Sequence, residues 1–545
     1  MFIILFTSSV DSFSQFSQEW IREYNGPGNG NDEAADHCTD DKGNVYVTGS
    51  SLGVGSGLDI YLSKYSPAGN FIWEVRYNGS GNNADIPHAL CVDNTGNVIV
   101  SGESTGQGTG RDITTLKYNS SGNLIWERSI NGNRSSDDRG ADVHADDSGN
   151  IFVLGTVSDS ISFFDFLTAK FSPSGALLWS RTYNGPVNGN DLASSMSADR
   201  AGNIIVTGSS LGAGTINDFV TIKYDINGNE LWVRRYNGPA NGNDNFTFVA
   251  ADDSGNVAVT GSSVGTGTGL DFATLKYSPS GELLWLARYT GPSNSAFDEP
   301  KAICSDIDGN IFVAGSSIGQ NTSYDFAVVK YSSAGTEQWV KRYNGIGNNS
   351  FDEPRSICSD DLGNVFVAGL SGSSTVSDDV VVIRYDTDGE QTWLLRYNSP
   401  SNGIDAANTV THNKSSGVII SGSFNSGVNG NNLMVMKYSL MTSVVSHAEI
   451  LSGNYRLHQN FPNPFNPNTV IRYSVPRLFT GNGKLITLNI YDISGKLMST
   501  LMNETQSSGD HEVVFSSEGI PSGVYFSVLS ADEAVVDVLK MTCIK

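Results

Sequence analysis

Eight tryptophans divide the chain into units of nearly equal length. The intervals between them are 53 residues for the first five and 54 for the last two. One short unit cannot bury its own hydrophobic faces, so a period of this length indicates a repeat architecture. The residues are Trp20, Trp73, Trp126, Trp179, Trp232, Trp285, Trp339 and Trp393.

Each unit contains four short runs rich in Val, Ile, Thr, Phe, Tyr and Trp, which are residues that favour strands. In one unit the runs lie at 244–251, 257–261, 271–277 and around Trp232 or Trp285, and Gly, Asn, Asp, Ser and Pro fill the gaps. We call the four predicted strands a, b, c and d in chain order. Four strands in about 50 residues predict a β-propeller blade. A β-helix would use shorter coils, and tandem sandwiches would need more residues per unit.

The order of the strands predicts how the array closes. A d-type strand around Trp20 comes first, before any a strand, and the last unit ends after strand c at Tyr438. The sequence therefore predicts an all-β, eight-bladed propeller over residues 18–438, in which the N-terminal strand completes the last blade and removes an exposed sheet edge.

The periodic units resemble the SBBP-type β-propeller repeats of bacterial surface proteins. The resemblance covers about residues 18–438 and is carried by motifs such as the Asp-Asp-Ser-Gly-Asn-Val-Ala-Val-Thr-Gly of residues 252–261. It implies a fold and a surface location, and it implies little about chemistry.

Long Gly-rich connections between strands d and a, and between b and c, share one face of an antiparallel blade. Binding residues usually lie on such loops. Two Asp columns lie there as candidate calcium ligands, since carboxylates and loop carbonyls suit Ca²⁺. The alternative is that each Asp caps its own loop by accepting backbone N–H groups, and repetition in every unit favours this alternative. The first column is Asp32, Asp85, Asp138, Asp191, Asp244, Asp298, Asp352 and Asp405, and the second is Asp59, Asp112, Asp165, Asp218, Asp271, Asp325 and Asp379, with Asn432 in the last unit.

Three further columns recur. The Asp of Asp-x-x-Gly-Asn, such as Asp252, is expected to form a tight turn between strands a and b. A Lys column running from Lys64 to Lys437, with Arg384 in one unit, is expected to be a solvated charge near a blade edge. Four cysteines occupy one column of strand a, and we expect buried free thiols there rather than disulfides. They are Cys38, Cys91, Cys304 and Cys358.

Composition excludes several functions. The formal net charge of −24 disfavours nucleic acid and anionic lipid as partners. No apolar stretch is long enough to span a membrane, and the apolar N-terminus, residues 1–15, is expected to be a truncated signal peptide. The seven His residues show no metal-ligand spacing. The sequence also has no nucleophile elbow and no P-loop.

The repeat stops after Tyr438, and residues 439–453 are expected to be a linker. The segments 458–471, 488–496 and 520–526 resemble the type A sorting domain of the type IX secretion system, over residues 454–545. The resemblance implies a small β-sandwich that the type IX machinery recognises, and an outer-membrane surface or secreted location in a Bacteroidetes-like envelope. The sorting-motif residues are Phe461, Pro462, Asn463, Pro464, Phe465, Asn466, Pro467, Gly495, Gly523 and Tyr525.

The sequence favours a monomeric, noncatalytic surface propeller that binds or scaffolds, with an extracellular glycan or protein as its ligand. The alternative is a polysaccharide- or protein-acting enzyme with its site on the long-loop face. An enzyme should break the repeat symmetry with a few unique polar residues near the axis. No cofactor is expected apart from the candidate calcium.

Overall fold

A computed structural model of the chain describes residues 16–133, 136–159, 163–293, 297–345, 350–372, 377–413, 417–427, 430–440, 456–475, 484–492, 496–507, 509–531 and 534–544. The expected signal peptide and almost all of the expected linker lie outside these residues. The chain divides into two compact units, one of which spans Phe16–Ser439 and the other of which contains the C-terminal residues from Leu440.

The described strands of the first unit form eight four-stranded sheets. Sheet 1 contains β2 (Asp32–Thr39), β3 (Val45–Leu52), β4 (Leu58–Tyr65) and β5 (Phe71–Tyr77), and β1 (Phe16–Tyr24) precedes it. Sheet 2 contains β6 (Asp85–Val92), β7 (Val98–Thr105), β8 (Arg111–Tyr118) and β9 (Leu124–Ile130). Sheet 3 contains β10 (Arg139–Ala145), β11 (Ile151–Ser158), β12 (Phe164–Phe171) and β13 (Leu177–Tyr183). Sheet 4 contains β14 (Asp191–Ala198), β15 (Ile204–Leu211), β16 (Asn217–Tyr224) and β17 (Glu230–Tyr236).

The remaining sheets repeat this order. Sheet 5 contains β18 (Asn245–Ala251), β19 (Val257–Gly265), β20 (Gly269–Tyr277) and β21 (Leu283–Tyr289). Sheet 6 contains β22 (Asp298–Ser305), β23 (Ile311–Ile318), β24 (Tyr324–Tyr331) and β25 (Glu337–Tyr343). Sheet 7 contains β26 (Asp352–Ser359), β27 (Val365–Gly372), β28 (Asp378–Tyr385) and β29 (Gln391–Tyr397). Sheet 8 contains β30 (Ala406–Asn413), β31 (Gly417–Asn425) and β32 (Asn431–Leu440), with β1 hydrogen-bonded beside β32.

Strands b and c are the cores of the sheets. In sheet 1, β3 and β4 pair antiparallel from Val45↔Tyr65 to Leu52↔Leu58, and nearly every residue of both strands is buried. A strand buried on both faces needs a covering layer on each side. Neighbouring sheets supply it: Tyr46 and Leu62 of sheet 1 share a hydrophobic cluster with Val100 of sheet 2.

The same kind of cluster joins sheet 1 to sheet 8. Val47 and Tyr61 of sheet 1 pack with Val435 of sheet 8 and with Trp20 of β1. The side chains of β1 also bond to β32, because the Tyr438 hydroxyl donates to Gln18 at 2.9 Å. The first strand of the chain is thus built into a sheet formed by strands some 400 residues later.

The described part of the second unit forms two sheets. One has the order β33 (Arg456–Phe461), β34 (Asn468–Val475), β37 (Gly509–Ser516), and the other has the order β36 (Leu497–Gln506), β35 (Lys484–Asp492), β38 (Gly523–Ala531), β39 (Ala534–Cys543). Tyr473 of the first sheet and Leu488 of the second belong to one buried cluster. Two sheets therefore enclose a common core, as in a β-sandwich.

No helix long and apolar enough to cross a membrane occurs in the described residues. All the regular structure described here is strand, in agreement with the all-β prediction.

Candidate functional site

The first Asp column is completely buried at the starts of the a strands, where it holds the loops that precede them. Asp85 in sheet 2 shows the pattern: it accepts hydrogen bonds from the Gly79 N–H at 2.7 Å and from the Ser104 hydroxyl at 2.6 Å. Burial raises the pKa of Asp85, and the nearby Asp59 carboxylate raises it further. Each described member of the column accepts at least one backbone N–H in this way.

The second column lies at the starts of the c strands, and in five sheets it forms ion pairs with arginines of strand d. In sheet 4, Arg235 donates to Asp218 at 2.8 Å and also to the Ser210 hydroxyl at 2.7 Å. In sheet 2, where strand d has no such arginine, Asp112 accepts from the Thr109 hydroxyl at 2.8 Å. The five pairs are Asp59–Arg76, Asp218–Arg235, Asp271–Arg288, Asp325–Arg342 and Asp379–Arg396.

These contacts bear on calcium binding. A guanidinium group already supplies the positive charge beside the second-column carboxylates of five sheets. Within the residues the structure describes, no group of three or more His, Cys, Asp or Glu side chains is placed to hold a metal ion. One oxygen of each paired second-column Asp is nevertheless buried without a hydrogen-bond donor among the described residues. Calcium at the two columns therefore stays a hypothesis beside the capping alternative, which these contacts favour.

The Lys column is not solvated, and the expectation of a free surface charge is wrong. All its members are buried. Lys276 of strand c pairs with Asp252 of the a–b turn at 2.8 Å, and the same Asp252 accepts the backbone N–H groups of Ser254 and Asn256. Sequence reasoning missed the pair because the two columns lie 24 positions apart in each unit.

Residues of strands c and d also clamp each sheet to the next. In sheet 2, Trp126 Nε1 and Lys117 Nζ both donate to the carbonyl of Pro173 in the c–d turn of sheet 3, at 3.0 and 3.5 Å, and Arg128 Nε donates to Gly175. The tryptophan period therefore marks an intersheet contact, which explains why the indole recurs in every unit.

The repeat symmetry breaks at a bulge in strand a. In every sheet the a–b pairing slips by one or two residues near the start of the strand, as between Pro87 and Ala89 in sheet 2. A β-bulge re-aims a side chain out of the sheet. The bulged residues of sheets 1 to 8 are Ala35, His88, Ala141, Ser194, Thr247, Lys301, Arg355 and Asn408.

The bulge of sheet 2 carries a cluster with no counterpart in the other units. The buried Glu103 carboxylate accepts from His88 Nε2 at 3.1 Å and from Arg111 Nη1 at 2.7 Å. Burial opposes ionisation of Glu103, but the His88 and Arg111 contacts outweigh it and hold the pKa of Glu103 below its usual value. His88 and Arg111 remain one-third or more exposed, at 38% and 33% of their side chains.

Sheets 6 to 8 carry a second polar group at the same level. Arg355 pairs with Glu353 at 3.0 Å and donates to the side-chain oxygen of Asn408 in sheet 8 at 2.6 Å. Asn408 in turn donates to the Ala34 carbonyl of sheet 1 at 2.6 Å. Lys301 of sheet 6 pairs with Glu299 at 3.2 Å.

The bulge of sheet 5 exposes an aromatic side chain. In the other sheets the equivalent position holds Ala, Gly or Pro and pairs with a glycine of strand b, against which the strand-a backbone packs closely. Phe246 does not fit there: the register jumps from Asn245↔Ser262 to Phe248↔Thr260, and Phe246 is 54% exposed with a φ of 53°. A positive φ on a bulky residue is strained backbone, which is enriched at functional sites.

We call this set the strand-a mouth. It comprises His88, Glu103, Arg111, Phe246, Lys301, Arg355 and Asn408. The repeat pattern predicts a binding role for the long-loop face, but it does not point to any of these residues. Aligning the eight units and asking which column of strand a varies most would have found His88, Lys301, Arg355 and Asn408. It would not have found Phe246, Glu103 or Arg111, which lie in other columns or strands.

The four strand-a cysteines are free thiols, as expected. Cys358 accepts from the His412 backbone N–H of the next sheet, and burial raises its pKa to about 12. Cys304 contacts the side chain of Ser359, which likewise lies in the next sheet. Cys304 and Cys358 thus each contact strand a of the following sheet, and no disulfide joins any of the four cysteines.

The sorting motif fastens the start of the tail domain to its last strand. Phe465 is buried, its N–H donates to the Thr542 carbonyl at 2.9 Å, and the Thr542 N–H donates to Asn463 at 2.9 Å. Tyr525 is buried and Gly523 begins β38, whereas Gly495 lies outside the described residues. Phe461, by contrast, is 80% exposed.

The fastened motif and the two-sheet core agree with what the family comparison finds. Residues 459–542 match the family model described as "Secretion system C-terminal sorting domain". The tail is a secretion sorting domain. The protein is thus exported by type IX secretion and is secreted or attached to the cell surface.

A search of curated proteins finds no match. Among solved structures, a protein of unknown function from Bacteroides caccae is 13% identical, with 55% of this chain and 93% of that chain covered and a TM-score of 0.31. The WD40 domain of SCAP from fission yeast is 11% identical, with 78% and 98% covered and a TM-score of 0.41. Likenesses this distant carry no argument about function.

Proposed function

We propose that the protein is an exported cell-surface β-propeller of eight blades, closed by β1, which binds an extracellular ligand at the strand-a mouth without catalysis. Closure is supported by contacts between the last sheet and the first. Trp20 Nε1 and Lys437 Nζ both donate to the Pro67 carbonyl of sheet 1, at 3.1 and 3.0 Å, as Trp126 and Lys117 do to Pro173. The likeness to SBBP-type repeats and the monomeric state belong to the same proposal.

The binding proposal is supported by the positions at which the eight repeat units differ in sequence. Among the described contacts, the Asp caps recur in all eight sheets, the Trp clamps in seven and the Asp–Lys pairs in four, because they serve the scaffold. The bulged position needs no particular side chain, and it is here that His88, Lys301, Arg355 and Asn408 replace small residues. Variation concentrated at one column near the start of strand a is what selection for a ligand would produce.

The strand-a mouth offers two kinds of surface. Sheets 2, 6, 7 and 8 contribute charged and amide groups, and sheets 4 and 5 contribute the exposed apolar side chains of Leu192 and Phe246. A sugar ring has an apolar face and a rim of hydroxyl groups, so it suits such an amphipathic opening. An aromatic ring and a few placed polar groups are what small-ligand sites commonly use.

The alternative, an enzyme acting on polysaccharide or protein, would use a general acid or base at the mouth. Glu103 is the buried carboxylate there, and its lowered pKa keeps it ionised, which does not suit a general acid at neutral pH. This disfavours Glu103 as a general acid, and the product assay below decides between binding and hydrolysis.

The proposal is tested with the full-length purified protein on a panel of bacterial and plant polysaccharides, measuring both retention and released products. We expect retention without product, and we expect Phe246→Ala to weaken it severalfold. Ile307→Ala is the matched control, because Ile307 is exposed in an a–b turn on the opposite face. Product release would replace binding by catalysis, and an equal loss in both variants would remove the mouth as the site.

A further inference from the structure

Within the strand-a mouth, the structure assigns His88, Arg111 and the nearby Arg139 to an anion-binding subsite for the carboxylate or sulfate group of an acidic saccharide. The inference rests on the proposed function and names its ligand class. It concerns sheets 2 and 3, where the mouth is most basic although the whole chain has a net charge of −24.

Glu103 is not required for the sheet to form. The equivalent residue of strand b is Ser in five sheets, Thr in sheet 3 and Leu in sheet 7. Burying a carboxylate costs free energy even when it is paired, so a buried ion pair is poor support for a purely stabilising role. Glu103 therefore has a use that Ser does not serve.

Glu103 fixes the positions of His88 and Arg111. Its two oxygens take separate donors, with Oε2 bonded to His88 Nε2 and Oε1 to Arg111 Nη1. The His88 imidazole and the Arg111 guanidinium group are thereby held in one orientation before any ligand binds. The Arg111 main chain is also fixed, since its N–H donates to Asp137 at 3.1 Å and its carbonyl accepts from the Asp138 N–H at 2.7 Å.

Arg111 and His88 keep hydrogen-bond donors that Glu103 does not use. Glu103 engages only one nitrogen of the Arg111 guanidinium, which has five N–H donors in a fork that matches carboxylate and sulfate oxygens. His88 has its second ring nitrogen to offer, and both side chains reach solvent. Arg139 starts the neighbouring strand a, is exposed, and forms no ion pair among the described residues. Together His88, Arg111 and Arg139 outnumber the two carboxylates beside them, the buried Glu103 and the exposed Asp137, and they favour an anion.

The carboxylate of a saccharide fits better than a free ion, because Leu192 occupies the position of sheet 4 that Arg139 occupies in the neighbouring sheet 3, and its exposed side chain offers an apolar contact to a sugar ring. A free phosphate or sulfate ion would contact the basic groups and would make no contact with the apolar side chain.

The probes are polygalacturonate, its fully methyl-esterified form, and sodium sulfate, titrated into the full-length protein by calorimetry at low salt. We expect polygalacturonate to bind and the ester to bind about tenfold or more weakly, since a charge-assisted contact is lost. Arg111→Gln should weaken polygalacturonate binding by about tenfold or more. Glu103→Ser should weaken it as well, although it removes a negative charge, because His88 and Arg111 lose their fixed orientation.

Arg200→Gln is the matched control, because Arg200 is an exposed arginine on the tight-turn face that pairs with Asp253. It should leave binding unchanged. The subsite is overturned if Glu103→Ser tightens binding, if Arg200→Gln weakens it as much as Arg111→Gln, or if sulfate alone binds as well as the polymer. Equal binding of acid and ester, with loss in Phe246→Ala, would overturn the anion subsite and leave the proposed function standing.

Discussion

A ring nitrogen of His37 lies 2.8 Å from the Thr411 hydroxyl, although 374 residues separate the two in the sequence. The other ring nitrogen lies 2.8 Å from the Ser421 hydroxyl. His37 belongs to sheet 1 and both hydroxyls belong to sheet 8. At the equivalent position the other sheets have Leu, Val, Ile or Met, so a buried polar contact is used only where the two ends of the repeat array meet.

The first prediction concerns the pH dependence of this contact. Burial lowers the pKa of His37 to about 3, so the folded protein holds it neutral. The unfolded chain protonates it near pH 6.5, and the stabilisation is therefore complete above that pH and is lost as the pH falls. In chemical denaturation at pH 7, His37→Gln should lose about 1–3 kcal/mol relative to wild type. This difference should shrink towards pH 5.

Two carboxyl groups act in the opposite direction, so only the difference between wild type and variant is informative. Burial raises the pKa of Asp36 to about 7 and of Asp142 to about 6, and their contribution is therefore lost as the pH rises. A His37→Gln difference that grows on acidification would contradict the assignment of a neutral His37.

The second prediction tests the buried Lys–Asp pairs. Asp252→Asn leaves the Lys276 ammonium group buried without a carboxylate and should destabilise the protein by about 3 kcal/mol or more. Asp253→Asn breaks the exposed Arg200–Asp253 pair and should change stability by less than about 1 kcal/mol. Thermal unfolding of both variants distinguishes a buried pair from a surface pair.

Acidification should reproduce part of the Asp252→Asn effect. Burial opposes ionisation of Asp252, but Lys276 and Asn256 outweigh it and lower its pKa. The stabilisation is therefore present above the ordinary Asp pKa and is lost as the pH falls through the lowered value. An Asp252→Asn variant as stable as Asp253→Asn would show that the lysine is solvated after all.

The third prediction tests closure by β1. Trp20 is buried between sheets 8 and 1, so Trp20→Ala should cost about 3 kcal/mol or more. Phe71→Ala is the control, because Phe71 lies on the outer strand of sheet 1 and is exposed. Calorimetry should show a lower melting temperature for Trp20→Ala alone. A melting temperature equal to that of Phe71→Ala would mean that β1 is not docked.

The fourth prediction concerns calcium. Five second-column carboxylates have arginine partners and the first column is hydrogen-bonded to its loops, so we expect a chelator to leave the melting temperature unchanged. Calorimetry with excess chelator, and again with added Ca²⁺, checks this. A fall on chelation that Ca²⁺ reverses would establish calcium as a structural ligand of the Asp columns.

The fifth prediction separates folding of the tail from its recognition. Phe465 is buried and Phe461 is exposed, so Phe465→Ala should unfold the tail, whereas Phe461→Ala should leave it folded. If the secretion machinery contacts the exposed ring, both variants should reduce the amount of protein at the cell surface. Normal surface display of Phe461→Ala would place recognition elsewhere on the domain.

The sequence alone predicted the four strands of each repeat unit, the order of those strands and the identity of the tail. Trp20 and the missing last d strand predicted that β1 would lie with the final sheet, because each period contains its own strand and turn signals. The tail was predictable from local motifs such as 461–467, which were specific enough to be recognised without coordinates.

Only the tertiary structure decided which side chains meet. Lys276 looked like a solvated charge because its partner Asp252 lies elsewhere in the unit, and His88, Glu103 and Arg111 come from three different strands. The periodic residues are those that every sheet needs to form its own strands and turns and to pack against the neighbouring sheet. Contacts that break the period depend on which residues the sheets bring together, and that information is in the packing rather than in any stretch of sequence.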